Sequence, residues 1–253
     1  MPGQSVEDLV DRSGVVVARY VRGTRFGRPC AVRVEELGPR TDVAAALAET
    51  RPGWVVVAGE DLCRALVDVG ARQVRHAHQM LRDLRADPPD PGWAALAPSG
   101  ALRLTEPPTG RHAPLADLHD LAVLAYPPGH PDHVPEDDMA EVDDYTARLL
   151  RDRTTPMCPA SALVFDGPRP VAALLVTHGP PGPWVGNVMR HPGARYAGLG
   201  SLLLRRGMAV AAGHGDRMIG LAVSHTNPAR RLYESLGFRS TAVYLTVVLP
   251  GTP

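Results

Sequence analysis

Residues 195–207 read RYAGLGSLLLRRG, an arginine and then two closely spaced glycines that run straight into a helical pattern. Gly198 and Gly200 allow the backbone to come close to a ligand, and the first N–H groups of a helix have no partner inside it. Together with the positive end of the helix dipole these groups favour an anion, and a pyrophosphate fits best. An ordinary tight turn has the same spacing. A Walker loop is excluded because GxxxxGK[ST] is absent, and no third glycine completes a GxGxxG dinucleotide fingerprint.

The sequence around this stretch alternates between strand and helix patterns. Strand-like runs occupy 101–106, 161–167, 169–179, 183–190, 218–225 and 240–249, and helical ones 114–126, 137–152, 199–212 and 228–236. The predicted order is βααβββαβαβ. Tight Gly/Pro turns make the strands of 161–190 antiparallel, and those flanking the last two helices are expected to be parallel. In the last helix Asn227 is the expected N-cap, Pro228 the first residue and Gly237 the left-handed stop, with Ala229, Leu232, Tyr233 and Leu236 on one apolar face.

Composition narrows the classes. The 253 residues are 44% hydrophobic and 21% charged, with a formal net charge of zero, and no segment approaches the ~20 apolar residues of a membrane span. Neither nucleic acid nor a membrane is an expected partner. All basic side chains are arginine; there is no lysine. MPGQSVEDLVDRSG lacks the apolar centre of a signal peptide, and Cys30, Cys63 and Cys158 make neither a disulfide framework nor a CxxC pair, so a cytoplasmic location is expected. His130 and His133 have no further ligands at metal spacing, and no metal site is expected.

The stretch NVMRHPGARYAGLGSLLL resembles the acetyl-CoA loop of the GNAT superfamily of N-acetyltransferases, [Q/R]xxGx[G/A], with Arg195, Gly198 and Gly200 at the motif positions and Pro192 ahead of them. NPARRLYESLGF is similar to the family's second signature, an Asn-initiated helix that carries a tyrosine and ends in Gly-Phe. The resemblance covers about residues 100–250. It implies the α/β (α+β) GNAT fold with a mixed central sheet, and acetyl-CoA as co-substrate. The pyrophosphate would lie on the amides of Arg195, Tyr196, Ala197, Gly198, Leu199, Gly200 and Ser201. Pantetheine would run along Val188, Met189 and Arg190, Asn227 would face it, and Tyr233 would reach the thioester sulfur.

Direct acetyl transfer needs a deprotonated amine, a stabilised oxyanion and a protonated leaving thiolate. An alkyl ammonium titrates near ~10.4 and must lose its proton, while a phenol near ~10 can protonate a thiolate whose conjugate acid titrates near ~8.5. Tyr233 is the acid the resemblance implies, and a backbone amide near Met189 the oxyanion donor. The glutamate that many relatives carry on the strand before the loop has no counterpart, because WVGNVMR offers only Asn187. A water chain, His225 or His178 then remain as routes for the proton. Glu136, Asp137, Asp138, Glu141, Asp143 and Asp144 either rim the cleft and attract a cationic amine or form a solvated helix face.

The first hundred residues read β, α, β, α, β over 31–37, 41–51, 54–60, 61–72 and 72–81. Overlaying GEDLCRALVDVGARQ on TNPARRLYESLGFRS aligns Gly70 with Gly237, Leu66 with Tyr233 and Glu60 with Asn227, but GPRTD has no RxxGxG. A degenerate half-copy of the acetyltransferase pattern, as in tandem proteins such as mycothiol synthases, and an unrelated α/β cap both fit. The expected domains are a smaller α/β unit over 1–90, a linker over 91–99 and a catalytic unit over 100–253. The expected function is acetyl transfer to a primary amine of a small molecule in a ternary complex, with a homodimer compatible. The alternatives are a non-catalytic acyl-CoA-binding or regulatory module and an enzyme that acts on a protein N-terminus.

Overall fold

The computed structural model describes residues 5–107, 114–134, 157–179 and 182–251, with positions 139, 143, 146, 147 and 150. It divides into two compact units, one built from residues 1–78 with 242–253 and the other from 79–241. The division falls inside two strands, not in the proline-rich 91–99 segment expected as linker. Pro91–Ala95 instead form a 3-10 turn in the second unit, where the Arg205 guanidinium stands 5.6 Å over the Trp93 ring.

The first unit contains β1 (Val6–Val10), β2 (Val16–Arg25), β3 (Arg28–Glu36), α1 (Arg40–Thr50), β4 (Val55–Gly59), α2 (Glu60–Asp68) and the first part of β5 (Arg72–Asp83). β1 to β3 pair antiparallel, β3 and β4 pair parallel, and β4 pairs antiparallel with the end of β11 (Arg239–Val248), with Leu245 opposite Ala58. Its core joins Leu9, Tyr20, Leu47, Leu62 and Leu66 to Leu245, Val247 and Leu249. The sequence reading lacked β1 and β2. Val6 and Val10 on β1 are exposed, which blurs the alternation that marks a half-buried strand.

Among the described residues the second unit runs in the predicted order, with β6 (Arg103–Thr105), α3 (Leu115–Ala125), β7 (Ala162–Asp166), β8 (Arg169–Thr177), β9 (Trp184–Arg190), α4 (Leu199–Gly213), β10 (Met218–Ser224), α5 (Ala229–Ser235) and the start of β11. The predicted helix over 137–152 lies mostly outside the described residues. β6 to β9 pair antiparallel, while β9 and β10 pair parallel. β5, not β11, is the neighbour of β10 in the sheet order, so the two strands flanking α5 do not pair with each other as expected. β8 is buried on both faces. Ala172, Leu174 and Val176 face the cluster of α4 and α5, whereas Ala173 and Leu175 face that of α3, the period-2 pattern of a strand between two helical layers.

The order ββ, βαβαβ of the first unit's segment repeats that of β7 to β11, with the same antiparallel and parallel senses. The ends of α2 and α5 are also built alike. Gly70 (φ 99°) and Gly237 (φ 84°) are both left-handed; the Ala71 N–H returns to the Leu66 carbonyl at 2.9 Å and the Phe238 N–H to that of Tyr233 at 3.0 Å. Their surroundings differ. A Cβ on Gly70 would meet only Pro250 at 3.5 Å, but one on Gly237 would come within 3.1 Å of Nε of Arg82, whose buried guanidinium donates to the Leu236 carbonyl. Gly70→Ala should therefore cost about 1 kcal/mol and Gly237→Ala about 2–3 kcal/mol, readable as a larger fall in denaturation midpoint for the second.

Candidate active site

The pairing of β9 creates an opening in the second unit. Its register against β8 slips where Leu175 faces Asn187 and Val176 faces Val185, which leaves Gly186 as a bulge. On its other side β9 pairs with β10 only at Trp184 with Gly220 and Val185 with Leu221. Beyond the bulge the two strands part, while β8 still follows β9 to Arg190. Val188, Met189 and Arg190 thus lie on the parted segment, where backbone groups facing β10 have no strand partner among the described residues. The Val188 carbonyl accepts from the Tyr126 hydroxyl at 2.8 Å.

The loop after β9 ends at Gly198, which is left-handed (φ 84°) and caps α4 without a side-chain bond. The Leu202 N–H is the first to turn back, onto the Gly198 carbonyl at 2.9 Å. The amides of Leu199, Gly200 and Ser201 thus face out of the helix end. A Cβ at Gly200 would touch only Val188, at 3.9 Å, so packing alone does not require glycine there. An anion lying against these amides would require it. Gly200→Val should raise the Kd for acetyl-CoA at least ~10-fold with little change in melting temperature, measured by calorimetric titration and thermal denaturation.

The side chains of Arg195 and Tyr196 are engaged within the protein. The exposed Arg195 side chain pairs with Asp166 and donates to the Tyr196 hydroxyl, and it lies 4.6 Å over the Tyr196 ring. Tyr196 is buried and donates to Asp166 at 2.7 Å. A groove of about 800 Å³ opens beside the loop, lined by Asp120, Leu124, Arg169, His191 and Arg195 among others. Neither Tyr233 nor Asn227 lines it.

Those two residues gather with a third that the sequence reading did not single out. Asp132, in the turns after α3, accepts from the Ser224 hydroxyl at the end of β10 and from Nδ2 of Asn227. Asn227 keeps its capping role, since its Oδ1 accepts from the Ala229 N–H at 2.8 Å. Tyr233, on the first turns of α5, is buried. Desolvation, with the Asp132 charge adding to it, pushes its hydroxyl up to about 12. Burial likewise raises Tyr126, with Tyr233 and Asp132 contributing. A carboxylate and two phenols that hold their protons thus meet where β9 and β10 part.

His225 is exposed in the turn beyond β10, and His178 is exposed past the end of β8. Because β8 runs antiparallel to β9, His178 stands at the end of the sheet opposite the loop, which removes it as a proton acceptor for this site. His130 accepts the Asp132 N–H at 3.0 Å, and Nδ1 of His133 lies 2.8 Å from the Tyr126 carbonyl, so both hold the turn that presents Asp132. Of the acidic run, Asp143 pairs with His119 at 2.9 Å, and Glu136, Asp137, Asp138, Glu141 and Asp144 lie outside the described residues.

A sheet parted beside a glycine-started helix is the arrangement that the second unit presents around β9 and α4. The acetyltransferase (GNAT) family model matches residues 115–238, so the chain carries a GNAT-family domain over that stretch. Acyl transfer is the chemistry of that family, with acetyl-CoA its general co-substrate. Among solved structures, the chain is similar to a GCN5-related N-acetyltransferase from Sphaerobacter thermophilus, at 18% identity and TM-score 0.64, covering 99% of this chain and 82% of that one. It is also similar to a tandem GNAT protein from the clavulanic acid biosynthesis pathway, at 18% identity and TM-score 0.62, covering 100% of this chain and 85% of that one. A functionally unknown conserved protein from Staphylococcus epidermidis shares 8% identity at TM-score 0.60, covering 99% and 96%. At such identities the likeness concerns the fold. No curated protein matches the sequence. Among the described residues, no helix is long and apolar enough to cross a membrane.

Proposed function

We propose that the protein transfers the acetyl group of acetyl-CoA to a primary amine of a small molecule, directly and within a ternary complex. The observation that carries this reading is the meeting of Tyr233 and Asp132 beside the parted segment of β9. The open amides at the start of α4 are suited to the pyrophosphate, and the parted backbone of Val188–Arg190 to the pantetheine amides. Asp132 supplies negative charge where a cationic amine must arrive, and a carboxylate that takes its proton directly or through a water.

The neutral amine then attacks the thioester carbonyl, and the oxyanion is held by a backbone amide of the parted strand. As the C–S bond breaks, Tyr233 donates to the leaving sulfur. A phenol at about 12 is a weaker acid than a thiol near ~8.5, so a full transfer from Tyr233 alone is uphill. The proton it shares is replaced from the ammonium of the tetrahedral intermediate. One N–H and one C–S bond break, and one C–N and one S–H bond form.

The test is thiol release from acetyl-CoA with a panel of small primary amines and, in parallel, N-terminal peptides. Amine-dependent release with intersecting initial-rate lines supports direct transfer. Parallel lines, the mark of a covalent enzyme intermediate, would refute it, and release with peptides alone would replace the acceptor class. Tight acetyl-CoA binding without release for any acceptor would favour a binding module.

A further inference from the structure

At the end of the second unit opposite the acyl-CoA loop, three side chains far apart in sequence converge. The Sγ of Cys158, a ring nitrogen of His178 and a carboxylate oxygen of Asp216 lie within 4.8 Å of one another. We infer that these three residues form a binding site for a divalent transition-metal ion of the zinc class, separate from the acetyl-transfer site.

The donors rest on ordered backbone. Cys158 enters β7, with its N–H bonded to the Val176 carbonyl at 2.9 Å and its carbonyl accepting from the Ser161 N–H at 2.9 Å. His178 directly follows β8, against which Met157 forms a bridge at Thr177. Asp216 lies in the turn from α4 to β10, its N–H bonded to the Ala211 carbonyl at 3.1 Å. Its Oδ2 is buried and has no hydrogen-bond partner among the described residues. Leaving a carboxylate oxygen so costs free energy unless something else meets it.

The donor set selects the ion. Thiolate with imidazole and one carboxylate suits zinc or cobalt and disfavours magnesium or calcium, which require oxygen ligands. Tetrahedral zinc holds sulfur and nitrogen about 3.6 Å apart, so the donors need close by only about 1 Å. Cys158 is buried, whereas His178 is exposed and gives the ion a route in, leaving a fourth position for water. Bound there, the ion ties the entry to β7, the exit of β8 and the α4–β10 turn together. No spacing motif announces it, which is why the sequence reading expected no metal.

The experiment uses the full chain, freed of metal by a chelator and titrated with Co²⁺ under reducing conditions. The expected result is a thiolate-to-cobalt charge-transfer band that saturates at one equivalent and is displaced by Zn²⁺. Cys158→Ser should abolish the band. His178→Ala, at an exposed position, and Asp216→Asn should each weaken binding at least ~10-fold while acetyl-CoA affinity is retained. Absence of the band in the folded protein overturns the site, as does a band that both the His178 and the Asp216 variants leave unchanged.

Discussion

Replacing Tyr233 with phenylalanine should lower kcat for amine acetylation by about 10²–10⁴-fold while leaving the Kd for acetyl-CoA within about twofold. The ring stays, so the edge contact with Phe238, 6.1 Å between centroids, and the apolar face of α5 are kept. Only the hydroxyl, the proposed donor to the departing sulfur, is lost. Single-turnover acetylation and calorimetric titration measure the two quantities separately, and a loss of affinity equal to the loss of rate would mean that the hydroxyl holds cofactor instead. The raised pKa adds a pH test. The hydroxyl ionises at about 12 in the fold and near ~10 unfolded, so its contribution to stability is complete below pH ~10 and is lost as pH rises toward about 12. A basic limb of activity near neutrality would therefore belong to another group.

Asp132→Asn should reduce kcat/KM for a cationic amine about 100-fold, again with acetyl-CoA affinity retained. The amide can still accept from Ser224 or Asn227, so the tie between the turn after α3 and the start of α5 survives in part. What disappears is the negative charge and, with it, the proposed proton acceptor. Ser224→Ala is the contrasting variant, because it removes one donor to Asp132 and keeps the carboxylate. It should cost no more than about 10-fold. If Asp132→Asn keeps its kcat/KM and loses only thermal stability, Asp132 merely fastens the turn and the proton leaves by another path.

The contrast between Tyr233 and Asp132 explains what could be read in advance. Tyr233 sits in a local pattern, bracketed by Asn227 and Gly237, whose backbone consequences stay within α5. The strands and helices of the second unit that such patterns mark were legible to within about two residues. Asp132 was not, because HPDH is an ordinary polar turn until folding brings it to Ser224 and Asn227, nearly a hundred positions away. β1 and β2 were missed for a different reason, since exposed valines and the bulge near Arg19 interrupt their alternation. The Gly186 bulge, on which the opening depends, arises from pairing with β8 and is written in neither strand alone.

The two strands that pass between units also constrain how the chain comes to be folded as it is made. Residues 6–59 supply most of the first unit early in synthesis, yet Leu245, Val247 and Leu249 belong to its core and leave the ribosome only after the whole of the second unit. At ~5–20 residues per second, the early core waits on the order of ten seconds or more for its last strand, with the β4 edge unpaired. The first hydrophobic core to be translated is thus the last to be completed, and the nascent protein must keep that edge from foreign strands until its own end arrives.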